Sequence, residues 1–161
     1  MNNRFQTIQF RPDTMQFVID NMFWLLFFIA AVIYSGAEDS QFREFSIGLS
    51  VFFGLYLLLD FIALRKKLFV LTSETLVYDR GIFYRDADFI ELYRVIDFQE
   101  KHSFLQQIFG LKTVIVYSGD RTTPRLVIPG IGCREELITL IRERVEYNKT
   151  RRGVYEITNR S

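Results

Sequence analysis

Two long apolar stretches dominate the first 64 positions, and at residue 65 the pattern changes to short alternating runs. The second stretch, FSIGLSVFFGLYLLLDFIAL (45–64), carries one charge, Asp60, near its end. At about 1.5 Å per residue it reaches roughly 30 Å, the thickness of a bilayer's hydrocarbon core. The first, FVIDNMFWLLFFIAAVIY (17–34), reaches spanning length with Asp20 and Asn21 at headgroup level. A cleaved signal peptide fits poorly, because a second span follows where a soluble sequence should begin. The connection SGAEDSQFRE (35–44) is short. Backbone polar groups must be satisfied inside lipid, so the pattern predicts an antiparallel transmembrane helix hairpin over 17–64, after an N-terminal segment 1–16.

Beyond Lys67 the runs are strand-like, with turns at SET, RG, GD and PG. Strands are expected at 68–72, 75–79, 82–86, 89–93, 95–101, 112–118 and 125–128. CREELITLIRERVEYN (133–148) has Leu137, Ile141 and Val145 four apart, widened by Ile138 and Leu140. That is an amphipathic helix docking on a sheet. Between the fifth and sixth strands, SFLQQIFG (103–110) suits a single helical turn plugging the barrel or lying at the membrane surface, ended by Gly110. The expected architecture is a membrane α-helical hairpin followed by a small β-barrel of about seven strands with a C-terminal capping helix (65–148), then a basic tail (149–161).

Charge adds direction. The net charge is only +1, but residues 65–161 hold 17 of the 20 Lys and Arg and 13 of the 19 Asp and Glu. Arg4 and Arg11 precede the first span, and Arg65, Lys66 and Lys67 follow the second. The connecting loop carries Glu38, Asp39 and Glu44 against Arg43. Both termini are therefore expected on the cytoplasmic side of the inner membrane. Arg65, Lys66 and Lys67 mark the membrane exit, where each cation gains about 1 kcal/mol from anionic lipid. With Arg151 and Arg152 of the tail they are the expected headgroup contacts. The tail's VYEI (154–157) alternatively adds a strand to a partner or to an open sheet edge. Ser46, Ser50 and Gly54 recur every four positions and predict a flat face for close helix packing in the membrane.

Reactive chemistry is sparse. The sequence has no phosphate-binding glycine loop, no HExxH and no cysteine cluster. The single cysteine, Cys133, excludes an intramolecular disulfide and fits a reducing compartment. Cys133 and the single histidine, His102, are expected to be ordinary residues. Asp86, Asp88 and Glu91 offer too few oxygen ligands for a cation. Asp20 and Asp60 are acids near a membrane, and so candidates for a proton relay, but both fall near the interface, where water or a cation can reach them. No catalytic residue, metal, cofactor or nucleic-acid partner is expected.

Four features in order, LTSETL, the DRG turn, ELYRVIDFQ and SFLQQIFGLKTVIV, resemble the bacterial membrane-anchored PH-like (pleckstrin-homology-like) domain family. The resemblance extends over residues 65–147 and the two preceding spans. It implies a PH-like barrel closed by a C-terminal helix, without known catalysis or a defined ligand. Eukaryotic lipid-binding PH domains present a basic cradle at the loop joining their first two strands. Here that loop is TSET (72–75), with Glu74 and no cation.

The expected function is a non-enzymatic, membrane-anchored interaction or scaffold module at the inner membrane, a subunit of a larger complex with a membrane protein partner or with further copies of itself. The alternative is an anionic-phospholipid-binding or lipid-sensing domain. A third reading, a transport element built on Asp20 and Asp60, needs oligomerisation to enclose a path.

Overall fold

A computed structural model describes residues 5–37, 41–81 and 86–153. The chain begins with a strand absent from the expected set, β1 (Ile8–Phe10), followed by α1 (Thr14–Asp20), α2 (Met22–Ser35) and α3 (Arg43–Lys66). Then come β2 (Leu68–Leu71), β3 (Thr75–Arg80), β4 (Asp86–Glu91), β5 (Val95–Lys101), α4 (Phe104–Ile108), β6 (Leu111–Ser118), β7 (Arg125–Gly132) and α5 (Leu137–Arg152). Most of the strand expected at 82–86 lies outside the described residues, as do residues 154–161 with the VYEI segment.

The strands form two antiparallel sheets, β1-β2-β3-β4 and β5-β6-β7, each in sequence order. Alternation along them sends one set of side chains inward. Phe69, Leu71, Leu76 and Ile90 of the first sheet meet Val95, Val114, Val116, Leu126, Ile128 and Ile131 of the second. Leu137, Ile141 and Val145 of α5 close this core, on the face read from their spacing. Leu140, expected to widen that face, is exposed, and the buried flank is instead Arg144 and Asn148. The chain crosses between the sheets at a 3₁₀ turn, Leu92–Arg94. The strand expected at 89–93 therefore ends at Glu91, since Leu92 turns into the core and donates its N–H to the Glu74 carbonyl.

α5 starts four residues later than expected. Residues 133–136 are held as a turn, with the Cys133 N–H on the Gly110 carbonyl and the Glu135 N–H on the Gly132 carbonyl. It also ends four residues later, at a left-handed Gly153. Lys149, Arg151 and Arg152 form its last turn, where cations offset the negative end of the helix dipole.

The apolar stretch 17–34 is not one straight helix. It breaks at Asn21, and α1 and α2 meet at 76°. α2 alone has 14 residues, about 21 Å, short of a bilayer core. α3 has 24 residues and is long and apolar enough to cross a membrane, whereas α1 and α2 meet the same criteria only as one bent pair. The break has a tertiary cause. Asn21 is buried, and its side-chain amide donates to the Phe17 carbonyl and to Asp60 of α3. α1 turns aside to dock on the second sheet.

That docking depends on a bulge in β7. Lys112 pairs with Ile131 but Val114 pairs with Ile128, so Pro129 and Gly130 make an irregularity in the strand. Gly130, at φ +67°, accepts the Asp13 N–H at 2.8 Å through its carbonyl. A Cβ here would lie 2.8 Å from the Gln16 Cβ and 3.2 Å from the Asp13 nitrogen. A bulge commonly re-aims a strand in this way, and here it makes the seat for α1.

Gly130→Ala is therefore expected to cost about 1–3 kcal/mol, from left-handed strain and displacement of α1. The check is the thermal midpoint of the full chain in detergent. A midpoint equal to that of the unaltered protein would show that α1 is not seated there.

Candidate functional site

The seam between the helix pair and the sheets holds three buried polar side chains, Gln16, Asn21 and Gln106. The Gln106 side-chain amide donates to the Gln16 side-chain oxygen Oε1 (2.9 Å) and to the Thr113 hydroxyl (2.8 Å). Gln16 donates in turn to Asp20 (2.7 Å). Gln16 and Gln106 are both buried, so this chain ties α1 to α4 and β6 through hydrogen bonds largely shielded from solvent. Asn21 and Asp60, 2.6 Å apart, tie the start of α2 to the end of α3. Asp20 and Asp60, read as interfacial acids, thus each accept a hydrogen bond from a side-chain amide.

α4 is set by a capping box. The Ser103 hydroxyl accepts the Gln106 N–H, and the Gln106 side chain accepts the Ser103 N–H. Ser-x-x-Gln is legible in the sequence as that motif. Gly110, at φ +64°, ends the helix as expected. The helix does not plug the barrel, because its buried residue is Gln106, while Phe104 (76% exposed), Ile108 (62%) and Phe109 (46%) face outward.

The five cations expected to meet headgroups fall into two places. Arg65 and Lys66 close α3 and Lys67 caps it, immediately before β2. Arg151 and Arg152 stand at the other end of β2, beside the turn 72–75, a strand length of about 13 Å away. There Arg151 pairs with Glu74 at 2.7 Å, Arg152 lies 4.1 Å over the Tyr93 ring, and Asn148 donates to the Ser73 carbonyl. The Glu74 loop is thus matched by a cation from α5.

The small-residue face of α3 packs within the chain. The Ser46 hydroxyl donates to the Ala31 carbonyl of α2 at 2.8 Å, and Gly54 faces the Phe28 ring, where a Cβ would come within 3.2 Å. Ser50 bonds back to Ile47 of its own helix. Trp24 adds ring contacts to Phe53 and Tyr56. At Ser46 and Gly54 the neighbour is α2.

Sequence reasoning missed one pairing. β5–β6–β7 registration brings Cys133 Sγ to 3.8 Å from His102 Nδ1, with Glu100 3.9 Å from the other ring nitrogen. The two side chains are within hydrogen-bond distance there, and both are exposed. The residues lie 31 apart in the chain, so only strand register could reveal the pair. Among the described residues no group of three or more His, Cys, Asp or Glu is placed to hold a metal ion.

Gln106→Ala should leave Gln16 and Thr113 without a buried partner, costing about 1–3 kcal/mol. Hydrogen exchange of the α1 and α4 amides should then accelerate at least tenfold while the α5 amides stay protected. Unchanged exchange in α1 would remove the polar chain as the tie.

No curated protein and no solved structure matches the chain. The family model for the bacterial PH domain matches residues 21–148, a range that takes in α2, α3, β2 to β7 and most of α5. The two antiparallel sheets closed by a C-terminal helix agree with that fold, and the chain belongs to the bacterial PH domain family.

Proposed function

We propose that this chain is a non-enzymatic, membrane-anchored interaction module. In this reading α2 and α3 form a hairpin in the inner membrane and hold the PH domain against its cytoplasmic face as one subunit of a membrane complex. The observation that carries it is the surface of the helix pair. Phe23 and Phe45 are more than 70% exposed, and Leu26, Phe27, Ile33, Phe52 and Leu55 more than half. A contiguous apolar belt of this kind marks a lipid or protein contact. The polar Asn21–Asp60 pair and Arg65, Lys66 and Lys67 all lie at the end that joins the domain. That asymmetry favours placing the domain, and with it both ends of the chain, on the cytoplasmic side.

An open, mostly apolar groove of about 430 Å³ at the other end of the helix pair, lined by Ala30, Tyr34, Phe42, Phe45 and Leu49 among others, supports the subunit reading. It offers a further membrane helix a place to lay its side chains. A second reading, contact with anionic lipid, is favoured by Arg65 and Lys66, both exposed at the end of α3.

Expressed in a bacterium, the chain should resist extraction by alkaline carbonate. Its domain should be cut by protease in inverted vesicles and protected in spheroplasts. Release by carbonate, or cleavage in spheroplasts, would end the anchoring reading. Gently extracted, the particle should weigh more than the 19.1 kDa chain, with a second protein or further copies present reproducibly. A lone chain would end the subunit reading.

A further inference from the structure

Alternation along β3 puts Leu76, Tyr78 and Arg80 on one face. Leu76 is buried in the core, Tyr78 stacks on Phe69 with centroids 4.6 Å apart, and Arg80 lies 5.5 Å over the Tyr78 ring. Across the gap stands β7, an edge strand of the second sheet. Asp13 and α1 cover that edge at Gly130. From Arg125 to Pro129 it bounds an open cleft of about 300 Å³, whose polar lining is Lys67, Tyr78, Arg80, Asp88, Thr123 and Arg125.

Three cations from three elements converge here: Lys67 at the cap of α3, Arg80 at the end of β3 and Arg125 at the start of β7. Among the lining residues one acid, Asp88, opposes them, and Asp20 of α1, outside the lining, also acts on Lys67. Asp88 sits 3.7 Å from Arg80, and with half of the Arg80 side chain exposed that pair holds weakly. The cleft therefore carries a net charge of +2, from three cations and one anion. Gathering like charges in a cleft is unfavourable until an anion joins them. Two guanidinium groups offer the planar forks that suit phosphate oxygens, and the Tyr78 and Thr123 hydroxyls can donate beside them. Burial raises the Tyr78 phenol above its ordinary range, so it remains a donor at neutral pH.

We propose that this cleft binds a phosphate group, carried by the headgroup of an anionic phospholipid or by a soluble phosphate ester. The site differs from the loop between β2 and β3, where Glu74 already holds Arg151. The cleft itself does not depend on the anchoring reading. Its lipid form does, because Lys67 directly follows the last turn of α3 and would put the cleft mouth at headgroup depth.

The test uses the full chain in a neutral detergent, titrated calorimetrically with dihexanoyl phosphatidylglycerol and, separately, with inorganic phosphate. Saturable binding is expected, weakened at least tenfold by Arg125→Gln and by Arg80→Gln and unchanged by Arg121→Gln, an exposed arginine that does not line the cleft. Binding of the lipid without phosphate identifies a headgroup site, and equal binding of both identifies a soluble ester. The two substitutions lie on different strands, so either folded variant decides the matter. No saturation by either probe, or wild-type affinity in a folded variant, overturns the proposal.

Discussion

Gln16 has no slack. Its Cβ rests where any side chain on Gly130 would have to be, and its amide is held between Gln106 and Asp20. That close approach decides how the two parts of the molecule meet. The domain is joined to the helix pair twice, through Lys67 directly into β2 and through α1, which the β7 bulge seats against the second sheet. A single covalent connection leaves a domain free to swing. Two connections on different sheets, locked by buried hydrogen bonds, leave one orientation. The segment before α1 extends the clamp. β1 covers the β2 edge with Ile8 opposite Leu71, and the Arg144 guanidinium on α5 reaches the Gln6 carbonyl at 2.7 Å.

This arrangement also manages the sheet edges. Unpaired edges invite association. β1 covers one, and α1 covers part of β7. The length of β7 that stays open carries Arg125 and faces Lys67 and Arg80. The incomplete closure of the barrel and the convergence of cations are one feature seen twice, since the gap between the sheets brings charges from three distant segments to one place.

Much of the domain was legible because its signals are local. The alternation of LFVL and TLVYDR, the four-residue spacing on α5, and Gly110 after a helical turn each act within a few residues. The four-residue spacing of Ser46, Ser50 and Gly54 is local too, and α2 lies against Ser46 and Gly54. What was not legible depends on partners far away in sequence. Ile8–Phe10 is too short to announce a strand and exists as one because β2 lies beside it. The bend falls at Asn21, a residue expected at headgroup level, and its burial there depends on Asp60, 39 residues on. In SFLQQIFG the apolar residues suggested a plug or a turn at the membrane surface, and the glutamine goes inward because Gln16 and Thr113 accept its amide. The cleft cations are spread from residue 67 to residue 125, and no spacing rule unites them.

The central claim is that two attachments fix the domain on the helix pair, and a distance measurement tests it most directly. Cys133 is the chain's single cysteine and is exposed on the domain, so Ala37→Cys at the far end of α2 completes a pair for spin labels. In lipid nanodiscs the account predicts one narrow distance distribution, broadened when Gly130→Ala unseats α1. A broad distribution in the protein with Gly130 intact would contradict it, leaving the domain hanging from Lys67 alone.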